Sequence, residues 1–162
     1  TGIIMKSVFS AMLLSLMVFT VPAGAQEPVI AATNHQALLQ SDDPQLAANK
    51  RLVYDFWREV FEGGHLELAD KYLTESYLQH NPNVPSGRQS FVEFFSQFTT
   101  AKPIKDKVEM PLVSIVAEKD MVILTFVQEV KDPEGDYTTT WFDMFCIEDG
   151  KIAEHWDSAR KM

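Results

Sequence analysis

From Lys107 to Asp157 the chain is a succession of β-rich runs cut by turn signals, and this half limits the fold more than any other feature. The runs are Lys107 to Ala117, Met121 to Val130, Tyr137 to Ile147 and Lys151 to Asp157. Glu118-Lys119-Asp120, Pro133-Glu134-Gly135-Asp136 and Glu148-Asp149-Gly150 separate them, each rich in residues that favour tight reversals. Linkers this short join antiparallel neighbours. The half before Lys102-Pro103 instead carries helical spacing. Helices followed by a meander predict an α+β domain, with the helices packed on one face of a curved antiparallel sheet.

Asp43-Pro44 opens the first long helix, a capping carboxylate followed by a proline whose missing N–H costs nothing in the first turn. Leu46, Val53, Phe56, Trp57, Val60 and Phe61 share its apolar face, and Gly63-Gly64 stops it. A shorter helix spans about Leu66 to Leu73, with Leu66, Ala69, Tyr72 and Leu73 inward. Tyr77 to His80 reads as a short strand ended by Asn81-Pro82. Ser86-Gly87-Arg88-Gln89 has the pattern of a capping box, and the helix it opens carries Phe91, Phe94, Phe95 and Phe98 on one stripe. Such a stripe is core, the wall of a ligand cavity, or both in a helix laid over a pocket.

Met121 to Val130 is apolar on both faces, with Met121, Ile123 and Val127 on one and Val122, Leu124 and Phe126 on the other. Helices cover only one face, so a homodimer through the outer sheet face is expected. Met5 to Ala25 reads as a cleavable signal peptide: Lys6, the apolar run Val8 to Val21, then Ala23-Gly24-Ala25. The run is shorter than the ~20 residues of a membrane span. The predicted organisation is upstream residues and signal peptide over 1–25, a flexible lead-in over 26–43 with a solvated His35, and one domain over 44–162. Export to a bacterial periplasm or the medium follows, with no stable membrane association after cleavage. A net charge of −9 disfavours nucleic acid as a partner, and the single Cys146 excludes an intrachain disulfide.

The last hairpin carries most of the functional information. A three-residue loop Glu148-Asp149-Gly150 sets Ile147 opposite Lys151, Asp143 opposite His155 and Trp141 opposite Asp157. Opposed residues share a face, so Trp141, Asp143, His155 and Asp157 point the same way, while Phe142, Met144, Cys146, Ile152 and Trp156 fall on the other. A two-residue Asp149-Gly150 loop would instead separate Asp143 from Asp157. Two acids and a histidine among aromatics are either a solvent-facing patch or a partly buried acid/base site whose carboxyl pKa is raised by burial and like charge. His80-Asn81 adds a second polar pair. A metal held by His80, His155 and an aspartate lacks any HxH or HExxH spacing, and no metal is expected.

Tyr77-Leu78-Gln79-His80-Asn81-Pro82, Pro85-Ser86-Gly87-Arg88 to Phe91, Trp141-Phe142-Asp143-Met144-Phe145 and Glu148-Asp149-Gly150-Lys151-Ile152-Ala153-Glu154-His155-Trp156-Asp157 together resemble the SnoaL-like, polyketide cyclase-like branch of the nuclear transport factor 2-like superfamily. The resemblance covers roughly Asn49 to Ser158. It implies a cone-shaped α+β barrel, commonly dimeric, whose curved antiparallel sheet encloses a pocket closed by N-terminal helices. The cyclases of that branch close a ring by intramolecular aldol condensation without metal or cofactor. In them an aspartate matching Asp157 serves as acid/base, and positions matching Asp143 and Asn81 lie in the same pocket. Position 143 is Asp here where those cyclases carry His.

Two functions follow. One is a cofactor-free lyase, isomerase or cyclase moving protons on a small apolar carbonyl compound. Its catalytic candidates are Asp157 as base, a protonated Asp143 as oxyanion donor, and His155. His80, Asn81, Trp141, Trp57 and Phe95 are its substrate-binding candidates. The alternative is a non-catalytic exported domain of the same fold that holds a small apolar ligand.

Overall fold

The four β-rich runs become four strands of a five-stranded curved sheet, and the fifth comes from the helical half. In the computed structural model, which describes residues 27–162, these are β1 (Leu73–Gln79), β2 (Leu112–Glu118), β3 (Met121–Val130), β4 (Tyr137–Glu148) and β5 (Lys151–Asp157). The signal-peptide reading falls outside the described residues. Pairing of β2 starts only at Leu112, because Pro111 has no amide hydrogen to give a ladder. The spatial order is β1-β5-β4-β3-β2. The three hairpin-linked pairs are antiparallel as expected, but β1 runs parallel to β5. β1 reaches β2 through a helix and a long crossover rather than a hairpin, so nothing forces it to reverse against its neighbour.

The helices are α1 (His35–Leu38), α2 (Pro44–Phe56), α3 (Ala69–Tyr72) and α4 (Arg88–Phe95). Asp43 caps α2 as predicted, its Oδ1 accepting from the amides of Gln45 at 2.8 Å and Leu46 at 3.4 Å. α2 then widens into a π-helix over Trp57–Glu62. At its end, a side chain on Gly63 would put its Cβ 2.6 Å from the Glu59 carbonyl oxygen, so only glycine fits there. Val53, Phe56, Trp57 and Val60 lie inward, against Val122, Leu124, Phe126 and Phe145 of the sheet. This is one α+β core between a helical layer and one sheet face, in the cone-shaped arrangement expected.

The Ser86 reading is corrected. Ser86 caps nothing; its Oγ accepts from the Gln79 amide at 3.0 Å, and Gly87, at φ 95°, is the N-cap of α4. The hydroxyl is diverted because Gly87 donates its own amide to the Tyr77 carbonyl, which folds the Pro85–Gly87 turn back onto β1. Phe91 is buried as the stripe predicted, whereas Phe98 lies past the end of α4 and is exposed.

The segment read as a lead-in lies on the domain. Val29 donates to Thr138 Oγ1 at 2.7 Å and Ala32 donates to the Leu112 carbonyl at 2.8 Å. His35, expected to be solvated, is only 8% exposed. Its Nδ1 meets the Tyr54 hydroxyl at 2.9 Å, and that same hydroxyl accepts from the Val108 amide at 3.1 Å. No helical or strand period marks a segment held this way, because isolated hydrogen bonds rather than a repeating apolar face fix it.

On the outer sheet face Met121 pairs with Cys146 and Ile123 with Met144, while Phe142, Val116 and Leu78 are exposed. Ile152, expected on that face, is instead fully buried in the core.

Candidate active site

The hairpin that joins β4 to β5 decides which side chains meet. Asp149 and Gly150 both adopt left-handed conformations, φ 49° and 74°, and Glu148 pairs with Lys151. This is a two-residue reversal in place of the three-residue loop read from the sequence, and Asp-Gly is the pair it favours. On its own it would turn Asp157 away from Asp143. One residue later the register slips: Ile147 pairs with Ile152 but Cys146 pairs with Glu154, leaving Ala153 as a bulge. The bulge restores the parity. Asp143 now faces Asp157 directly and Phe145 faces His155, so the predicted companions share the inner face with partners displaced by two positions. The same shift takes Ile152 inside.

Against this face lies a cavity of about 910 Å³. Phe56, Trp57 and Phe61 line it from α2 and the π-helix, Phe91, Phe94 and Phe95 from α4, and Tyr77, Trp141 and Phe145 from the sheet. The widened helical turn carries both Trp57 and Phe61, whose rings lie 4.4 Å apart, and Trp57 also stacks on Phe126 at 4.8 Å. The phenylalanine stripe therefore serves core and cavity at once. Of the substrate-binding candidates, Trp57, Phe95, Asn81 and Trp141 all border the cavity.

His80 does not. It lies on the outer face, stacked on Trp156 with ring centroids 4.6 Å apart, and its Nε2 meets Glu154 Oε2 at 2.8 Å. Strand alternation explains the correction: Tyr77 and Gln79 point inward, so His80, the next residue, points out. The two inward residues were not singled out by sequence, although period-two spacing from Asn81 back to Gln79 and Tyr77 identifies them.

The polar end of the cavity is one connected network. Gln79 Oε1 accepts from the Asn81 amide at 3.0 Å, and its Nε2 donates to the Tyr77 hydroxyl at 3.2 Å, which fixes the amide orientation. His155 Nδ1 lies 2.8 Å from that same Oε1, so Nδ1 carries a hydrogen. Its Nε2 lies 3.0 Å from Asp143 Oδ1, and a close contact there needs one proton between them. The buried Asp143–His155 pair thus shares a proton. Burial, the largest cause, pushes the Asp143 carboxyl above the usual carboxylate range. The His155 hydrogen bond and charge oppose that rise, and the neighbouring Asp157 adds to it.

Asp157 is more open. Its Oδ2 accepts from Asn81 Nδ2 at 2.7 Å and its Oδ1 from the Ala159 amide at 2.9 Å, a pair of donors that orients the carboxylate at the cavity wall. Asn81 keeps its second amide hydrogen, and Tyr77, which accepts from Gln79, keeps its O–H. Burial first, then the charges of Asp157 and Asp143, raise the Tyr77 pKa and keep it a neutral donor. Among the described residues, Trp57 Nε1 and Asp143 Oδ2 are buried with no hydrogen-bond partner, and both residues line the cavity. Orphaned groups of this kind are rare outside strained or functional positions.

One donor atom each from Asp143, His155 and Asp157 fall within 4.8 Å of one another, so these three are the residues that could hold a metal ion. His155 Nε2 and both Asp157 oxygens already have partners in the proton network. Cys146 lies on the outer face, where burial and then Glu154, Glu148 and Asp120 raise its pKa, so it stays an unreactive thiol.

No curated protein sequence matches the chain. Among solved structures, a provisionally assigned polyketide cyclase from Acidithiobacillus ferrooxidans is 18% identical with a TM-score of 0.50, over 73% of this chain and 89% of that one. An epoxide hydrolase of the LEH-like type from M. tuberculosis is 14% identical with a TM-score of 0.50, over 70% and 84%. At these identities the likeness extends to the fold alone. The model of the SnoaL-like domain matches residues 53–155, from the last turn of α2 to His155 and so most of the domain just described. The chain belongs to the SnoaL-like family.

Proposed function

We propose that this protein is a proton-transfer enzyme of the lyase, isomerase or cyclase kind, acting on an apolar carbonyl compound bound among the aromatic rings. The observation that carries the reading is Asp157, an oriented carboxylate at the wall of an apolar cavity, backed by the buried Asp143–His155 pair. Asp157 takes a proton from the carbon next to the carbonyl, and the electron pair of that C–H bond moves onto the carbonyl oxygen. The Tyr77 O–H and the second Asn81 N–H are the donors that border the resulting oxyanion. The enolate carbon then attacks a second carbonyl of the same molecule, or takes back a proton at another position. Asp157 returns the proton in either case, so charge and oxidation level balance. Asp143, buried against His155 and lining the cavity with an unpartnered Oδ2, is in its protonated form a further donor to the same oxyanion.

The test is hydrogen–deuterium exchange at the acidic carbon of a panel of aromatic and cyclic ketones, followed by NMR. Asp157→Asn should slow exchange by roughly 10²–10⁴-fold, the usual contribution of a general base, while ligand binding persists. If ketones bind but exchange no faster than in buffer, the protein is a binding domain instead; accelerated exchange that Asp157→Asn leaves unchanged overturns Asp157 as the base. The homodimer through the outer face and export to a bacterial periplasm or the medium belong to the same reading. Exposed Phe142, Val116 and Leu78 on the outer sheet face support a second copy as occupant. A sedimentation mass that stays monomeric at high concentration, or a secreted protein retaining residues 1–25, counts against them. Among the described residues, no helix is long and apolar enough to cross a membrane.

A further inference from the structure

Resting on the cavity as the binding site, we propose that its ligand carries an anionic group, a carboxylate or sulfonate, which the exposed Arg160 engages while the apolar body lies among the aromatic rings. Arg160 is the only lysine or arginine among the described residues that line the cavity. Its segment is pinned on both sides. The Asn83 side chain donates to the Arg160 carbonyl at 2.9 Å and accepts from the Met162 amide at 2.9 Å, and Ala159 is tied to Asp157. The guanidinium is therefore presented from a backbone that is held in place.

The contrast with the other arginines is what gives this weight. Arg51 bonds Gln36, Arg58 bonds Asp55 and Glu59, and Arg88 bonds the Leu73 carbonyl. The Arg160 guanidinium has no ion-pair or hydrogen-bond partner among the described residues, in a chain whose net charge is −9. A forked, permanently charged donor with its valences open matches a planar carboxylate or a sulfonate. Asp143 and Asp157 are the acidic side chains of the lining, and the exposed Arg160 adds the one Lys or Arg among the described lining residues.

A matched pair of fluorescent probes tests this: anilinonaphthalene sulfonate and phenylnaphthylamine, which share a ring system and differ by the sulfonate. Energy transfer from Trp57 and Trp141 reports cavity binding, and Trp156→Phe removes the tryptophan of the outer face as a control. The wild-type chain should favour the sulfonate, and Arg160→Gln should weaken its binding by about three- to tenfold, the range of a partly exposed charge-assisted contact. Binding of the neutral probe should not move. Equal affinities for both probes, or a sulfonate unaffected by Arg160→Gln, overturn the anionic subsite and leave the cavity reading intact. Absence of energy transfer from either cavity tryptophan, for both probes, overturns the two together.

Discussion

Mild acid should unfasten the segment that precedes α2. His35 is buried against Tyr54, and burial, the largest cause, followed by the charge of Lys107, holds its pKa below the ordinary 6.5; a bond to the Ala32 backbone and the charge of Glu62 oppose this. The docked imidazole is therefore neutral over a range where the released one is charged. As pH falls below 6.5 the released state binds more protons, so the stability of docking is intact above that value and declines below it. The ceiling follows from the free imidazole alone: at about pH 5 its protonation is worth RT ln(1 + 10^1.5), or about 2 kcal/mol. Hydrogen exchange of the amides of 27–40, corrected for intrinsic rates, should lose up to ~30-fold of its protection between about pH 7 and about pH 5. His35→Phe should abolish that difference. Protection that does not change with pH in the wild-type chain, or that changes equally in His35→Phe, refutes the reasoning.

Two further outcomes concern Asp143 and Gly64. Because burial raises the Asp143 pKa, the folded state keeps its proton to higher pH than the unfolded one; stability then falls as pH rises from 3.8 through the raised value. Asp143→Asn, which cannot titrate, should remove that slope, read by urea unfolding across the same pH range. Gly64→Ala should destabilise by about 1–3 kcal/mol in the same assay, since Gly64 sits at φ 73° and a Cβ there would lie 2.7 Å from the Thr100 carbonyl oxygen. A neutral result would mean that the backbone at 99–100 yields freely.

Much of the site was legible because a strand has a period of two. The inner-face grouping of Asp143, His155 and Asp157 depends only on parity, so it survived the wrong loop length: the tight turn and the Ala153 bulge each shift the register by one. The individual partners depend on the register itself, and no local pattern announces a bulge at an alanine. His80 was drawn in by its neighbour Asn81, although adjacent strand residues face opposite ways; the same rule, applied backwards from Asn81, leads to Gln79 and Tyr77. The helical layer was readable from Asp43-Pro44 and from the spacing of Val53, Phe56, Trp57 and Val60. Ser86 misled because a serine before a helix competes between capping and bonding to a nearby turn. His35 escaped notice for the opposite reason, since its burial belongs to no periodic face.

The parallel contact between β1 and β5 sets when the site can exist. Gln79 meets His155 and Asn81 meets Asp157 across 76 residues of chain. Closing a loop of that length is entropically dear and gains its reward only once the intervening strands have paired. The network that holds the shared proton is therefore among the last parts of the molecule to assemble during folding. A nascent or partly unravelled chain can have most of its sheet and still not hold Asp143 and Asp157 in place.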